Sequence, residues 1–285
     1  MYYRLIVCML FVLLPSLLPA QEIQEKKLRP IVTSTMLETG RTRLYDSYLS
    51  LNYYSGYDIG LSNERMQMAR WGKDRVMKQQ TVSIHFANTT NEPRNGRMYM
   101  GMLGYSFGYL YIYKPSVPGL KLYGGGQVEA SAGFIYNLRN SNNPATAKVD
   151  ANLALSAMAV YTFKIKEYPI TVRYQATLPF AGAFFSPAFG ETYYEMFELG
   201  NHKNLVHFGS FHNQFNMGNL VTADFPLGRG YVRIGYRNTI RTTLQNYLDT
   251  QIYTNSFILG VTTELIPFNR RKQRNLKNEV ISVFY

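Results

Sequence analysis

The stretch VDANLALSAMAVYTFKIK at residues 149–166 decides the fold. Its apolar residues occupy alternate positions from Val149 to Ile165, and the positions between them include Asp150 and Lys164. A period of two is typical of a β-strand with one apolar and one polar face. The stretch is much longer than the average globular strand of about six residues, and it is long enough for a tilted strand that crosses a bilayer.

The segments on both sides repeat this alternation, for example at 97–113, 119–136 and 170–178. Charged residues occur in mid-strand on the face opposite the apolar one, which suits a polar lumen better than the dry core of a β-sandwich. The sequence therefore predicts an all-β fold, a single transmembrane antiparallel β-barrel of about twelve strands, with ten to fourteen compatible. The predicted strands are 31–44, 56–70, 76–88, 97–113, 119–136, 149–166, 169–179, 190–199, 205–215, 217–227, 230–243 and 250–266.

The connections between the predicted strands alternate in length. An even number of strands places both chain ends in the periplasm, where turns are short, and leaves the longer loops outside the cell. The expected periplasmic turns are Lys166–Pro169, Gly200–Asn204 and Leu227–Gly230. The expected extracellular loops are Asn88–Gly96, Asn137–Lys148, Phe180–Phe189 and Thr243–Asp249, and the connection 45–55 is also expected to be long.

The two ends of the chain resemble targeting signals. Arg4, the apolar run from Leu5 to Leu14 and a small residue at Ala20 form the pattern of a secretory signal peptide. We therefore expect a signal peptide at 1–20, a barrel at 21–266 and a bacterial outer-membrane location. Residues 267–285 are expected to form a basic periplasmic tail or a closing strand. Their aromatic ending resembles the signal read by the barrel-assembly machinery, which is therefore an expected partner.

The composition limits the chemistry and the partners. The chain has 24 Tyr, 17 Phe, a net charge of +12 and a single cysteine, Cys8, inside the predicted signal peptide. The mature chain is therefore expected to have no disulfide, thiolate ligand or cysteine nucleophile. An exported protein rarely meets nucleic acid, so the expected anionic partners are outer-membrane lipids and lipopolysaccharide. The oligomeric state stays open.

Alternation also predicts which charged residues point into the lumen. If these groups pair with one another they plug a narrow barrel, and if they stay unpaired their basic excess favours anions in a pore. The predicted lumen residues are Glu129, Asp150, Lys164, Arg173, Asp224, Arg233, Arg237 and Arg241.

Several short strings occur together along the chain. They are Tyr53-Tyr54-Ser55-Gly56, Glu64-Arg65-Met66, Asn142-Asn143-Pro144-Ala145 with Lys148, Arg173-Tyr174-Gln175, Gly182-Ala183-Phe184-Phe185-Ser186-Pro187, Gly190-Glu191, Tyr193-Tyr194-Glu195, Leu199-Gly200-Asn201-His202, Asn219-Leu220-Val221-Thr222-Ala223-Asp224 and Gly235-Tyr236-Arg237. Together they resemble an uncharacterised family of exported proteins, a domain of unknown function, from Bacteroides-type Gram-negative bacteria. The resemblance covers nearly the whole mature chain. It implies an outer-membrane setting and carries no known activity, ligand or catalytic residue.

One pair of residues suggests hydrolysis. Ser210 and His212 are two positions apart on a predicted strand and therefore share a face. Outer-membrane phospholipases and lipid A deacylases use a serine and a histidine from neighbouring barrel positions, with a polar group that orients the imidazole. Their order is His-x-Ser, whereas this chain has Ser-x-His, and hydrogen bonding at the barrel rim explains the pair without catalysis. No metal or cofactor is expected, because the histidines lack ligand spacing.

The segment 179–195 differs from the other predicted loops because it is aromatic. Exposed aromatic surface of this size is normally hidden or used. We expect the segment to fold inward and constrict the barrel entrance through Phe180, Phe184, Phe185, Phe189, Glu191 and Glu195.

Taken alone, the sequence favours a non-enzymatic outer-membrane barrel with a structural, surface-binding or small-solute channel role. The alternative is an outer-membrane lipid-modifying hydrolase that uses Ser210 and His212.

Overall fold

The computed structural model describes residues 28–141, 143–201, 203–265 and 281–284. The predicted signal peptide and most of the predicted tail therefore lie outside the described residues. Within them the chain forms eleven strands and one short helix. The strands are β1 (Ile31–Asp46), β2 (Ser50–Met68), β3 (Val76–Asn91), β4 (Arg97–Tyr113), β5 (Leu120–Asn137), β6 (Ala145–Ile165), β7 (Tyr168–Phe185), β8 (Val206–Ser210), β9 (Gln214–Leu227), β10 (Gly230–Gln245) and β11 (Leu248–Leu265), and the helix is α1 (Tyr193–Phe197).

Ten of these strands close into an antiparallel barrel, and β8 lies outside the ring. The ring closes because β1 pairs along its whole length with β11, and β6 pairs with β7. Closure leaves no unpaired edge in the wall, which is the condition for a β-sheet to span a membrane. The all-β antiparallel barrel is confirmed, and the ring has ten strands where the alternation predicts about twelve.

One predicted strand, 190–199, is absent because its start is a helix signal. Thr192 caps α1, since its hydroxyl accepts from the Glu195 backbone N–H at 3.1 Å while the Glu195 carboxylate accepts from the Thr192 N–H at 2.8 Å. This reciprocal capping box needs the Thr-x-x-Glu spacing that the sequence has. The segment therefore forms a helical turn inside the long connection 186–205.

The predicted strands 205–215 and 217–227 form one interrupted path instead of a hairpin. β8 pairs with Ala181–Phe185 of β7 and β9 pairs with Thr171–Thr177, so both run in the same direction along β7. Between them the Asn213 side chain accepts from the Ser210 backbone N–H at 3.1 Å and donates to the Phe208 carbonyl at 3.0 Å. A side chain that satisfies its own backbone in this way interrupts the strand.

The barrel has two distinct ends. The terminal end carries both ends of the wall, Ile31 and Leu265, with the turns 69–75, 114–119, 166–167 and 228–229. The loop end carries the connections 47–49, 92–96, 138–144, 186–205 and 246–247. The expected periplasmic turn Gly200–Asn204 is wrong, because it lies at the loop end within 186–205. The expected long connections 45–55 and Thr243–Asp249 are tight turns, and β7 continues to Phe185, so the third predicted loop begins only at 186.

The wall is apolar outside and mixed inside. Large apolar side chains such as Leu61, Leu103, Leu155 and Phe257 are exposed on the outer surface. No helix among the described residues is long and apolar enough to cross a membrane. An exposed apolar belt around a closed antiparallel barrel is the arrangement of outer-membrane-type barrels.

Candidate functional site

The terminal half of the lumen is crossed by a buried layer of four charged residues. Arg173 donates to both carboxylate oxygens of Glu64, with Nη1–Oε2 and Nη2–Oε1 distances of 2.6 Å. Arg233 donates to Asp224 through Nε at 2.6 Å and Nη2 at 2.7 Å, and to Glu64 through Nη1 at 3.1 Å. None of the four is more than 2% exposed. Two guanidinium groups and two carboxylates therefore balance each other's charge where water is largely excluded.

An amide cluster completes this layer. Gln79 donates to Glu64 Oε1 at 2.6 Å, and Gln127 donates to Gln79 Oε1 at 2.7 Å. Gln175 accepts from Arg173 and donates to Ser156 Oγ at 2.8 Å. These amides bond to atoms of the ion pairs that the charged groups themselves leave without a partner. A buried ion pair is stable only when those remaining donors and acceptors are also satisfied. Glu64 and the three glutamines are missing from the predicted lumen residues, although they occupy alternate strand positions as the others do.

A second polar layer lies nearer the loop end. Ser62 donates to Glu38 Oε1 at 2.5 Å, and Arg237 Nε is 2.9 Å from Glu38 Oε2. On the other side, Arg241 Nη1 is 3.3 Å from Asp150 Oδ2 and donates to Ser131 at 2.7 Å.

A cavity of about 200 Å³ lies between these two layers. Its wall includes Gln79, Gln127, Glu129, Arg237 and Arg241, together with methionines of β4. The described part of the lumen therefore contains a chamber with mixed polar and apolar walls between the two layers of ion pairs.

The terminal end of the lumen is closed by the last described residues of the chain. Val283 and Phe284 are 1% and 2% exposed and pack in one cluster with Met66, Met77, Leu110 and other lumen residues. Lys121 Nζ donates to the Phe284 carbonyl at 2.7 Å, and the Tyr123 hydroxyl donates to the Val283 carbonyl at 2.8 Å. We call residues 281–284 the plug segment. It is inserted into the barrel mouth, unlike either a free tail or a closing strand.

The loop end is closed by apolar side chains and the connection 186–205. Leu44, Leu49, Tyr54 and Met98 are buried in one cluster inside the wall. Above them, the Tyr48 hydroxyl donates to the Glu191 carbonyl at 2.8 Å. Burial, with the nearby charges of Asp46, Glu191 and Glu195, raises the pKa of Tyr48 to about 12. The neutral phenol is therefore favoured at this contact.

The predicted lumen residues mostly line the lumen. Arg173, Asp224 and Arg233 are buried in the first layer, and Asp150, Arg237 and Arg241 lie in the second. Glu129 lies on the cavity wall. Lys164 is exposed, because it lies at the terminal end of β6.

The predicted constriction residues do not form one group. Phe184 points inward and is 3% exposed, with its ring centroid 5.9 Å from that of His207. Glu191 is buried, whereas Phe180 and Phe189 are exposed. Phe185 packs against the ring of Tyr193, and Glu195 is exposed and caps α1.

The predicted Ser210–His212 pair is brought together at the loop end. Ser210 is the last residue of β8 and His212 lies in the turn that follows, with Ser210 Oγ and His212 Nδ1 3.0 Å apart. Among the described residues no carboxylate contacts the His212 ring, whose neighbour is the stacked ring of Phe208. The pair therefore has the distance of a dyad without the third group that orients the imidazole.

Several solved β-barrel structures are similar to this chain, each at low sequence identity. The β domain of the Bordetella autotransporter Brka is 12% identical with a TM-score of 0.43, covering 85% of this chain and 100% of that chain. The translocator domain of the autotransporter NalP from Neisseria meningitidis is 11% identical with a TM-score of 0.35, covering 92% and 96%. An outer membrane channel from Pseudomonas putida F1 is 7% identical with a TM-score of 0.32, covering 86% and 100%.

The comparison with curated proteins gave no match. The family model described as protein of unknown function (DUF3316) matches residues 3–272, which is most of the chain. The chain therefore belongs to the DUF3316 family.

Proposed function

We propose that the protein is an outer-membrane β-barrel whose lumen is sealed, and that it acts as a structural or surface-binding component instead of an open pore. The observation that carries the proposal is the buried layer of Glu64, Arg173, Arg233 and Asp224 across the lumen. In this setting the terminal end faces the periplasm and the loop end faces outward. Export through residues 1–20, a Bacteroides-type origin, assembly by the barrel machinery and contact with lipopolysaccharide belong to the same proposal.

The charge balance of the layer supports a sealed lumen. An ion that crosses it has to separate Arg173 from Glu64, and that leaves charges without partners in a site with little water. Each such step is costly, whereas conduction requires weak, multiple binding sites. The plug segment adds an apolar barrier in series at the terminal end.

Ion conductance of the refolded protein in a planar bilayer tests this proposal. We expect no unitary conductance steps from the full mature chain. Steady, anion-selective steps from the unaltered protein would refute the sealed lumen and favour the channel role. A double substitution, Glu64→Gln with Arg173→Gln, removes both charges from the layer and is expected to raise leakage. Asn63→Ala on the outer face of β2 is the matched control, and it should stay silent.

A second candidate function rests on the 3.0 Å distance between Ser210 Oγ and His212 Nδ1. In an outer-membrane lipid hydrolase the Ser210 hydroxyl attacks the ester carbon, and His212 accepts its proton and passes it to the leaving alcohol. Water then hydrolyses the acyl-serine and releases the fatty acid. Ser210→Ala then abolishes fatty-acid release from phospholipid or lipid A, while Ser55→Ala, at an exposed serine of β2, leaves it unchanged. Absence of release from the unaltered protein would remove this candidate.

A further inference from the structure

The outer surface of β1 carries two arginines near the loop end. Arg41 and Arg43 are exposed, and they alternate with the buried Thr42 and Leu44. Their side chains therefore leave the wall on the outside, away from the lumen. They are five and three residues from the end of β1 at Asp46.

Each guanidinium group lies over an aromatic ring of β2. Arg43 Cζ is 4.1 Å from the ring centroid of Tyr53, and Arg41 Cζ is 5.8 Å from that of Tyr57. Tyr53 also contacts Tyr45, with ring centroids 4.8 Å apart. A ring face holds a guanidinium group in place without neutralising its charge. The arginines are thus positioned while their hydrogen-bond donors remain available.

These arginines differ from those of the lumen. The lumen arginines 173, 233, 237 and 241 each lie within 4.0 Å of a carboxylate. In the described part of the chain neither Arg41 nor Arg43 has such a partner. The two guanidinium groups are therefore positioned on one surface with donors that can bind an anion from outside the chain.

The surroundings indicate where that anion is. Arg41 pairs across the sheet with Tyr57 of β2 and Asn255 of β11. The outward-facing positions toward the terminal end include exposed Leu37, Ile59 and Phe257. The arginines therefore lie where the apolar belt ends and a rim of tyrosines begins. In a membrane barrel this is the level of the lipid headgroups.

We propose that Arg41 and Arg43 form a binding site for the phosphate groups of the outer-leaflet glycolipid. A guanidinium group presents paired donors that match a phosphate, and its contact with the tyrosine rings fixes its orientation. This inference rests on the membrane setting proposed above. It is independent of the sealed lumen, which the conductance measurement tests separately.

The test is the binding of diphosphorylated lipid A to the refolded mature chain in detergent, counted as lipid adducts by native mass spectrometry. The variant carries Arg41→Gln and Arg43→Gln. We expect its apparent affinity to fall about thirtyfold, because each basic side chain near an anionic surface contributes about a factor of five. Lipid A without phosphates should bind weakly to both proteins. Inorganic phosphate should fail to compete, which separates a lipid site from a free-phosphate site.

The matched control is the double variant Arg65→Gln with Arg70→Gln, which makes the same change in charge at exposed arginines near the terminal end. It should bind lipid A as the unaltered protein does. A second variant, Arg41→Lys with Arg43→Lys, keeps both charges and should bind lipid A with intermediate affinity. It tests the same site if the Gln variant folds poorly. Equal loss in the control, unchanged binding in the Gln variant, or a change of oligomeric state in place of lipid binding would each overturn the proposal.

Discussion

Glu64 and Arg173 join opposite sides of the barrel. β2 and β7 are five positions apart in the ring of ten strands, and the two residues still meet through two hydrogen bonds of 2.6 Å. The side chains therefore span the lumen along its diameter. Because Arg233 also donates to Glu64, one carboxylate holds two guanidinium groups from different strands.

The first prediction concerns this carboxylate. Glu64→Gln leaves Arg173 without a counter-charge in a buried site, and removal of one partner from such a pair costs about 3–5 kcal/mol of unfolding free energy. Urea unfolding in phospholipid vesicles measures the loss. The control is Asp74→Asn, which breaks the pair of Asp74 with Arg29, where both side chains are about one-fifth exposed and the expected loss is about 0–1 kcal/mol. Equal losses in the two variants would contradict a closed lumen layer.

The second prediction concerns the connection 186–205. Tyr48→Phe removes the donor to the Glu191 carbonyl, a contact worth about 0.5–1.5 kcal/mol. We expect proteinase K to cut this connection roughly two- to tenfold faster in the variant at about pH 8. Cutting of the connection 138–144 serves as the internal control. An unchanged rate would show that Tyr48 does not hold the loop.

The same contact predicts a pH dependence. The pKa of Tyr48 is raised from 10.0 to about 12, so the docked state favours the neutral phenol. The stabilisation is complete below pH 10.0 and is lost as the pH rises toward 12. The unaltered protein should therefore lose its protection from proteolysis across this window, and Tyr48→Phe should show a smaller change. A loss of protection below this window would assign it to another group.

The third prediction concerns orientation. Lys203→Cys lies at the loop end and should react with an impermeant thiol reagent on intact cells, as should Asn95→Cys. Arg229→Cys lies in a turn at the terminal end and should react only after the outer membrane is opened. The opposite pattern would invert the barrel. Reaction at Asn95 without reaction at Lys203 would place Gly200–Asn204 at the periplasmic end, as the sequence pattern predicts.

Alternation of apolar residues predicts strands and faces, because a strand has a period of two whatever its neighbours are. It therefore identifies Arg173 and Arg233 as lumen residues. It cannot identify Glu64 as their common partner, because the period gives no information on which strands stand opposite each other. Which residues meet depends on the number of strands in the ring.

The ring has ten strands, the lower limit of the predicted ten to fourteen, because of two local signals. Thr192 and Glu195 form a capping box that replaces a strand by a helical turn, and Asn213 interrupts a strand without reversing it. A broken strand and a hairpin have the same alternation, so the sequence pattern does not separate them. The sequence pattern does not predict the plug segment either, because Val283 and Phe284 fit the end of a strand or of a tail.

The plug segment gives the most direct test of the sealed barrel. Val283→Cys is made in the mature chain expressed from Gln21, which lacks Cys8 and has no other cysteine. Val283 is 1% exposed, whereas Lys114, in a turn at the same end, is exposed. In the folded, unheated protein Val283→Cys should resist an impermeant thiol reagent that modifies Lys114→Cys rapidly, and it should become reactive after heat unfolding. Equal reaction rates in the folded barrel would contradict the sealed lumen, because the plug segment would then lie outside it.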